Sequence, residues 1–224
     1  MSIRSNLISI KSQLPKQVTL VAVSKTKPAS VIMEAYNAGQ RVFGENKIQE
    51  MVDKYAQLPK DIEWHMIGHV QRNKVKYMAD FVHLIHGVDS FKLLKEINKQ
   101  AQKCNRTINC LLQIKIAQEE TKFGITAEEA ESFLKSDAFK ALNNICIKGL
   151  MGMATFTHDE NQIRQEFMFL KETFNGLKKF KTINFNPEII SMGMSNDFEI
   201  AIACGSNMVR IGSSIFGERT YGNQ

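Results

Sequence analysis

Local motifs that mark a dinucleotide, nucleotide or hydrolase site are missing from this 224-residue chain. It contains no GxGxxG, no GxxxxGK followed by Ser or Thr, and no GxSxG, which removes the Rossmann, P-loop and hydrolase-elbow readings. His65, His69, His83, His86 and His158 do not combine into zinc spacing such as HExxH, so no metal is expected. Cys104, Cys110, Cys146 and Cys204 form no CxxC pair and sit mostly in apolar company; they read as small core residues of a protein in a reducing compartment. No apolar stretch reaches the roughly 20 residues that a membrane span needs, and the start Met1-Ser2-Ile3-Arg4-Ser5-Asn6 lacks the layout of a signal peptide. The expectation is a cytoplasmic protein with no membrane association. No low-complexity linker, composition shift or internal repeat divides the chain, and with 43% hydrophobic residues it can bury one large core, so one domain over 1–224 is expected.

Charge narrows the partners. The net charge is +6, with a pI near 9.1, which admits an anionic ligand such as nucleic acid or a phosphorylated small molecule. The basic residues are dispersed, however, and the clusters Arg72, Lys74, Lys76 and Lys178, Lys179, Lys181 are not interleaved with aromatics as a base-stacking platform would be. They read as solvated helix faces, and no nucleic-acid partner is expected.

Apolar runs and helical periodicity alternate to the end of the chain. Strand candidates are Val18 to Val23, Arg41 to Phe43, Glu63 to Ile67, Phe81 to Ile85, Ile108 to Ile114, Ile145 to Leu150, Glu188 to Met192 and Met208 to Ile211. After an amphipathic start at Ile3 to Leu14, the helical segments are Ala29 to Asn37, Lys47 to Gln57, Asn73 to Met78, Ser90 to Lys103, Ala127 to Lys135, Asp159 to Lys178 and Asp197 to Ala203. Ser90 and Thr126 are N-cap candidates, the latter with Glu129 as capping-box partner. Strict β/α alternation implies a parallel sheet, and eight repeats of this length point to an α/β fold of the (β/α)8 TIM-barrel type. A doubly wound open sheet is the alternative, because periodicity does not show whether a sheet closes.

The polar groups at the strand ends carry the chemistry. Lys25 ends the apolar run Val18-Thr19-Leu20-Val21-Ala22-Val23-Ser24, at the carboxyl end of a strand, where α/β folds place their sites. Two readings of it stand at this point. Desolvation there lowers an ammonium pKa, so Lys25 could offer a neutral amine to an aldehyde and form a Schiff base; or its stem covers apolar surface while its head stays in water. Gly212-Ser213-Ser214 after the eighth strand can turn its N–H groups and hydroxyls on an anion. Ser195, expected at the start of the helix that follows the seventh strand, would be a second phosphate contact or an N-cap. Arg210 stays protonated, so a pyridine nitrogen facing it stays unprotonated and the ring is a weak electron sink; an ion pair to a helix end is the other reading. Asn46 after Gly44 is either a turn residue or an amide reaching a ring hydroxyl. His65, beside the only tryptophan, Trp64, reads as a hydrogen-bonded core histidine. Lys122, after the fifth strand, is a surface lysine or a second amine at the same mouth.

Five ordered stretches then match one family: Leu20 to Pro28, Phe43-Gly44-Glu45-Asn46, Trp64 to Lys74, Ser191 to Asp197 and Met208 to Gly212 closely resemble the pyridoxal phosphate homeostasis proteins of the YggS/PROSC family. The resemblance covers essentially the whole chain. It implies a barrel like the N-terminal domain of alanine racemase, binding pyridoxal 5′-phosphate (PLP) as an internal aldimine on Lys25. By match to the family motifs, Arg210 faces the pyridine nitrogen, Ser195, Gly212 and Ser213 hold the phosphate, Asn46 lies near the ring, and Lys122 is placed near the cofactor mouth. The family commonly has Thr where this chain has Ser213, and the hydroxyl survives that change; Lys47 replaces a residue that is often Tyr and is given no role. The implied function is vitamin B6 homeostasis, the buffering and delivery of PLP without substantial turnover, by a monomer whose recipients are apo forms of PLP-dependent enzymes. The alternative is a PLP-dependent amino-acid racemase or related enzyme. Stereoinversion needs acid–base groups on both faces of the cofactor, in alanine racemase a tyrosine from an additional domain, and this sequence ends soon after the barrel with Tyr221 as its only tyrosine there.

Overall fold

The computed structural model describes residues 2–119 and 123–217. Eight strands, β1 (Thr19–Val23), β2 (Val42–Glu45), β3 (Glu63–Met66), β4 (Leu84–Val88), β5 (Ile108–Gln113), β6 (Ile145–Met151), β7 (Phe185–Ser191) and β8 (Met208–Ile211), close in sequence order into a barrel in which every pairing is parallel. The open-sheet alternative is excluded by the β1–β8 pairing, which sets Val21 beside Arg210 and Ala22 beside Ile211. Helices α1 (Ile3–Gln13), α2 (Ala29–Asn37), α3 (Ile48–Gln57), α4 (Phe91–Lys103), α5 (Ala127–Lys135), α6 (Asp137–Lys140), α7 (Glu160–Leu177), α8 (Phe198–Ala203) and α9 (Ser213–Phe216) lie along the chain around it. Among the described residues no helix is long and apolar enough to cross a membrane.

Strand alternation produces two apolar layers. In β1, Leu20 and Ala22 face the large cluster between sheet and helices, while Val21 joins Leu84, Leu111, Met151 and Met208 in a small plug inside the barrel. Capping follows the local chemistry: Ser90 accepts from the N–H of Leu93, and Thr126 and Glu129 form the expected reciprocal capping box. One close approach depends on a glycine. Gly149 in β6 has φ +148°, and a Cβ there would lie 1.8 Å from the carbonyl oxygen of Ile189, where the β6–β7 register shifts.

Four elements depart from the sequence expectation. The fourth strand runs from Leu84 to Val88 rather than from Phe81 to Ile85. Phe81 stacks on Tyr55 instead, with centroids 3.9 Å apart, and His86, which breaks the apolar pattern, belongs to the strand because it finds partners inside the barrel. β7 begins at Phe185, earlier than Glu188, and carries Pro187 through the irregular part of its pairing with β6, where a missing N–H is tolerated. The segment expected as a helix at Asn73 to Met78 is a 3-10 helix over Arg72–Tyr77, and α6 was hidden by its single turn. All four cysteines are free, two buried and two half-buried.

Candidate functional site

Barrel closure decides the site. At the carboxyl ends of the strands a cavity of about 1070 Å³ is lined by Lys25, Asn46, Ser195, Arg210, Gly212 and Ser213, so the six residues singled out in the sequence share one mouth. Lys25 is half-buried just past β1, and the β1–β8 pairing carries Gly212 to its side: a Cβ on Gly212 would sit 3.2 Å from the Val23 carbonyl oxygen. Ser195 is not the N-cap of the following helix. Asp197 precedes α8 and accepts from the N–H of Met194 at 2.6 Å, which leaves Ser195 on the loop, where its Oγ accepts from the N–H of Gly212 at 3.4 Å. The loop after β7 and the turn after β8 are thereby joined. Lys122 and Tyr221 lie outside the described residues.

Arg210 is 4% exposed. Its Nη1 donates to the carbonyl and hydroxyl oxygens of Ser191 at 2.8 and 2.7 Å, and Nη2 donates to the Gly152 carbonyl at 3.1 Å. Three of its five N–H groups are thus used; Nε–H and the second Nη2–H make no hydrogen bond among the described residues, and the side chain lines the cavity, so two donors remain for a bound group. Burial lowers the pKa of Arg210 to about 10 against the opposing pull of Asp197, and the guanidinium stays charged at neutral pH. The donor set of the cavity thus comprises an amine, a buried guanidinium and a turn bearing hydroxyls and N–H groups, the combination that an aldehyde-bearing heteroaromatic phosphate requires.

A buried network that sequence reasoning missed braces the lysine. Lys54 of α3 is almost fully buried and donates to Glu45 Oε1 at 2.8 Å, to the Ser24 carbonyl at 2.8 Å and to Glu50 Oε1 at 2.6 Å. Ser24 donates to the same Glu45 oxygen at 2.6 Å, and Glu50 accepts from the Thr26 N–H at 2.5 Å. Both neighbours of Lys25 are therefore tied to one ion cluster, and Thr26 is held at φ +66°, unusual for a residue with a Cβ. The only hint in the sequence was that Glu45 and Lys54 stand on elements whose facing sides are otherwise apolar.

A second chain of polar groups runs down the barrel interior from Arg210. Ser191 Oγ lies 3.0 Å from His86 Nδ1, and His86 Nε2 lies 3.0 Å from His65 Nδ1. His65 is the hydrogen-bonded core histidine the sequence suggested, though its partner was not foreseeable. Burial holds the pKa of both rings down, that of His65 at about 3 with a smaller contribution from His83, and that of His86 well below the usual imidazole value. The fold requires them neutral, so the stability they contribute is complete above pH 6.5 and is lost as the pH falls towards about 3. His65 alone should take about 2 kcal/mol from the fold between pH 7 and pH 5. Urea midpoints at the two pH values should show that loss, and His65→Asn, which keeps a polar partner for His86 but does not titrate, should flatten it. An equal slope in both proteins would contradict the assignment.

Comparison with known proteins places this mouth in context. Residues 1–220 match the alanine racemase N-terminal domain family. The pyridoxal phosphate homeostasis protein of Helicobacter pylori is 40% identical over 203 residues, covering 90% of this chain and 88% of that protein. The chain belongs to the pyridoxal phosphate homeostasis protein family. The Escherichia coli K12 member is 38% identical over 92% of this chain and 88% of its own length. The solved structure of PipY from Synechococcus elongatus with PLP bound superposes with a TM-score of 0.87 at 33% identity, covering 96% of this chain and all of that one. Alanine racemase from Clostridium difficile shares the fold, with a TM-score of 0.78 at 16% identity, and this chain covers 58% of it.

Proposed function

We propose that this protein holds PLP on Lys25 at the carboxyl mouth of the barrel and acts in vitamin B6 homeostasis by retaining and releasing the cofactor rather than by turning over a substrate. The observation that carries the reading is the β1–β8 closure, which sets an amine and a turn bearing hydroxyls and N–H groups side by side on one rim. PLP supplies an aldehyde that condenses with a primary amine, and a phosphate that anchors it independently of that bond. Lys25 provides the amine. Ser195, Ser213 and the N–H groups of the Gly212 turn take the phosphate, Arg210 offers one of its two unused N–H groups to the ring nitrogen, and Asn46 borders the ring. PipY carries PLP in its solved structure, and the relatives named for PLP homeostasis agree with this assignment.

The chemistry of Arg210 favours retention over turnover. A charged guanidinium donates and does not accept, so the ring nitrogen it faces keeps its lone pair and withdraws electrons weakly. Apo forms of pyridoxal enzymes are the recipients this reading calls for. The test is an absorbance spectrum of the purified protein before and after borohydride, with peptide mapping, alongside exchange of the α-proton of amino acids in deuterated water. Attachment that maps to Lys25, with exchange no faster than free PLP supports, is the expected result. Rapid exchange would establish the racemase alternative, and a colourless protein that takes up no PLP would end both.

A further inference from the structure

The opposite, amino-terminal mouth of the barrel gathers three side chains that no sequence motif connects. Glu63 and His65 stand two residues apart on β3 and so face the same way, and His65 is in register with Leu84, which brings His83 alongside them. The His65 and His83 rings lie parallel within 13°, with centroids 5.5 Å apart. His83 Nε2 is 3.5 Å from Glu63 Oε2, and one ligand-type atom from each of the three residues lies within 4.8 Å of the other two. A tetrahedral zinc ion with bonds of about 2.0–2.2 Å separates its ligand atoms by about 3.4 Å, so small side-chain rotations close the set.

The atom that singles out this cluster is His65 Nε2, which is buried without a hydrogen-bond partner among the described residues, in a residue only 2% exposed. An orphaned ring nitrogen is costly in a protein interior, and a metal ion is one group that would satisfy it. We propose that Glu63, His65 and His83 bind one divalent transition-metal ion of the zinc class, with water in the remaining position. The side chains of Glu63 and His83 are 45% and 48% exposed, which leaves an entry path from solvent. Two imidazoles and one carboxylate suit zinc better than the all-oxygen shells of magnesium or calcium.

Such an ion would set the direction of the whole interior chain. With no metal at His65, the Ser191 hydroxyl can donate to His86 Nδ1 and His86 Nε2–H can donate to His65 Nδ1, which leaves His65 Nε2–H without an acceptor. Metal at His65 Nε2 requires that nitrogen bare. His65 then donates from Nδ1 to His86 Nε2, and His86 donates from Nδ1 to Ser191 Oγ, the atom that also accepts from Arg210 Nη1. Both rings change tautomer and no proton is gained or lost. The outer partner of a metal-bound histidine fixes its tautomer in this way in other sites, and here that partner leads across the barrel to the residue at the cofactor mouth.

The test uses the full chain, stripped of metal with a chelator and titrated with zinc chloride by calorimetry. One ion per chain is expected, and Glu63→Gln and His83→Ala should each weaken binding by at least about tenfold, since loss of an outer-shell partner alone does as much. Both substitutions are at half-exposed positions, which keeps the fold out of the comparison. Lys25→Ala should bind zinc as the parent does, which separates this site from the fate of the functional reading above. Imidazole 15N shifts should move the proton to Nδ1 on His65 and His86 when zinc is added. No binding, equal affinity in the Glu63 and His83 variants, or tautomers indifferent to zinc would overturn the proposal.

Discussion

Lys25→Ala should abolish covalent attachment of PLP while leaving part of the non-covalent affinity. The borohydride-fixed adduct should vanish and the absorbance of the bound cofactor should revert to that of the free aldehyde. Phosphate-dependent retention should persist, because Ser195 and the Gly212 turn follow other strands and do not need the amine. Lys27 is the natural competitor, two residues on and lining the same cavity. It donates instead to the Phe216 and Gly217 carbonyls at 3.0 and 3.4 Å, which draws its ammonium to the end of α9, so Lys27→Ala should retain the adduct. Equal adduct formation in Lys25→Ala and the parent would refute the assignment, and transfer of the adduct to Lys27 would show that the mouth rather than the residue selects the amine.

Lys54→Met should be the most damaging substitution away from the cofactor. Methionine keeps most of the buried stem but leaves Glu45 and Glu50 without their shared cation. Glu45 is fully buried, its Oε2 has no partner among the described residues, and burial already pushes its pKa up against the pull of Lys54. Removing one member of a buried ion pair costs about 3–5 kcal/mol, and in a chain of this length each kcal/mol lowers Tm by about 2–4 °C. A Tm fall of about 10 °C is therefore expected. Adding Glu45→Gln should restore part of it, because the stranded charge rather than lost packing dominates. Cofactor retention should weaken as well, since Ser24 and Thr26 hold Lys25 from both sides through this cluster. A double variant no more stable than Lys54→Met alone would show that packing, not charge, is what Lys54 supplies.

The parts of the fold that could be read in the sequence are those set by local pattern. Helices α2 and α5 fall where the periodicity predicts, because a helix finds its backbone partners one turn away in the same segment, and β8 matches its expected bounds. β4 was misplaced because His86 and Gly87 interrupt its apolar run, and a polar residue joins a strand only when distant groups satisfy it; here they are His65 and Ser191. The same limit hid the Lys54–Glu45 pair, whose buried charges are tolerable only in each other's presence.

Chain order and residue type alone established a β/α repeat, an amine ending the first strand and a turn bearing hydroxyls ending the last. Whether those two ends meet is not a local property. Only closure of the sheet makes β1 and β8 neighbours, and with them Lys25 and Gly212. The interior polar chain has the same origin, since residues facing a barrel axis from different strands become partners only once the barrel exists. Side-chain periodicity records which face a residue takes, and tertiary structure alone decides what stands across from it.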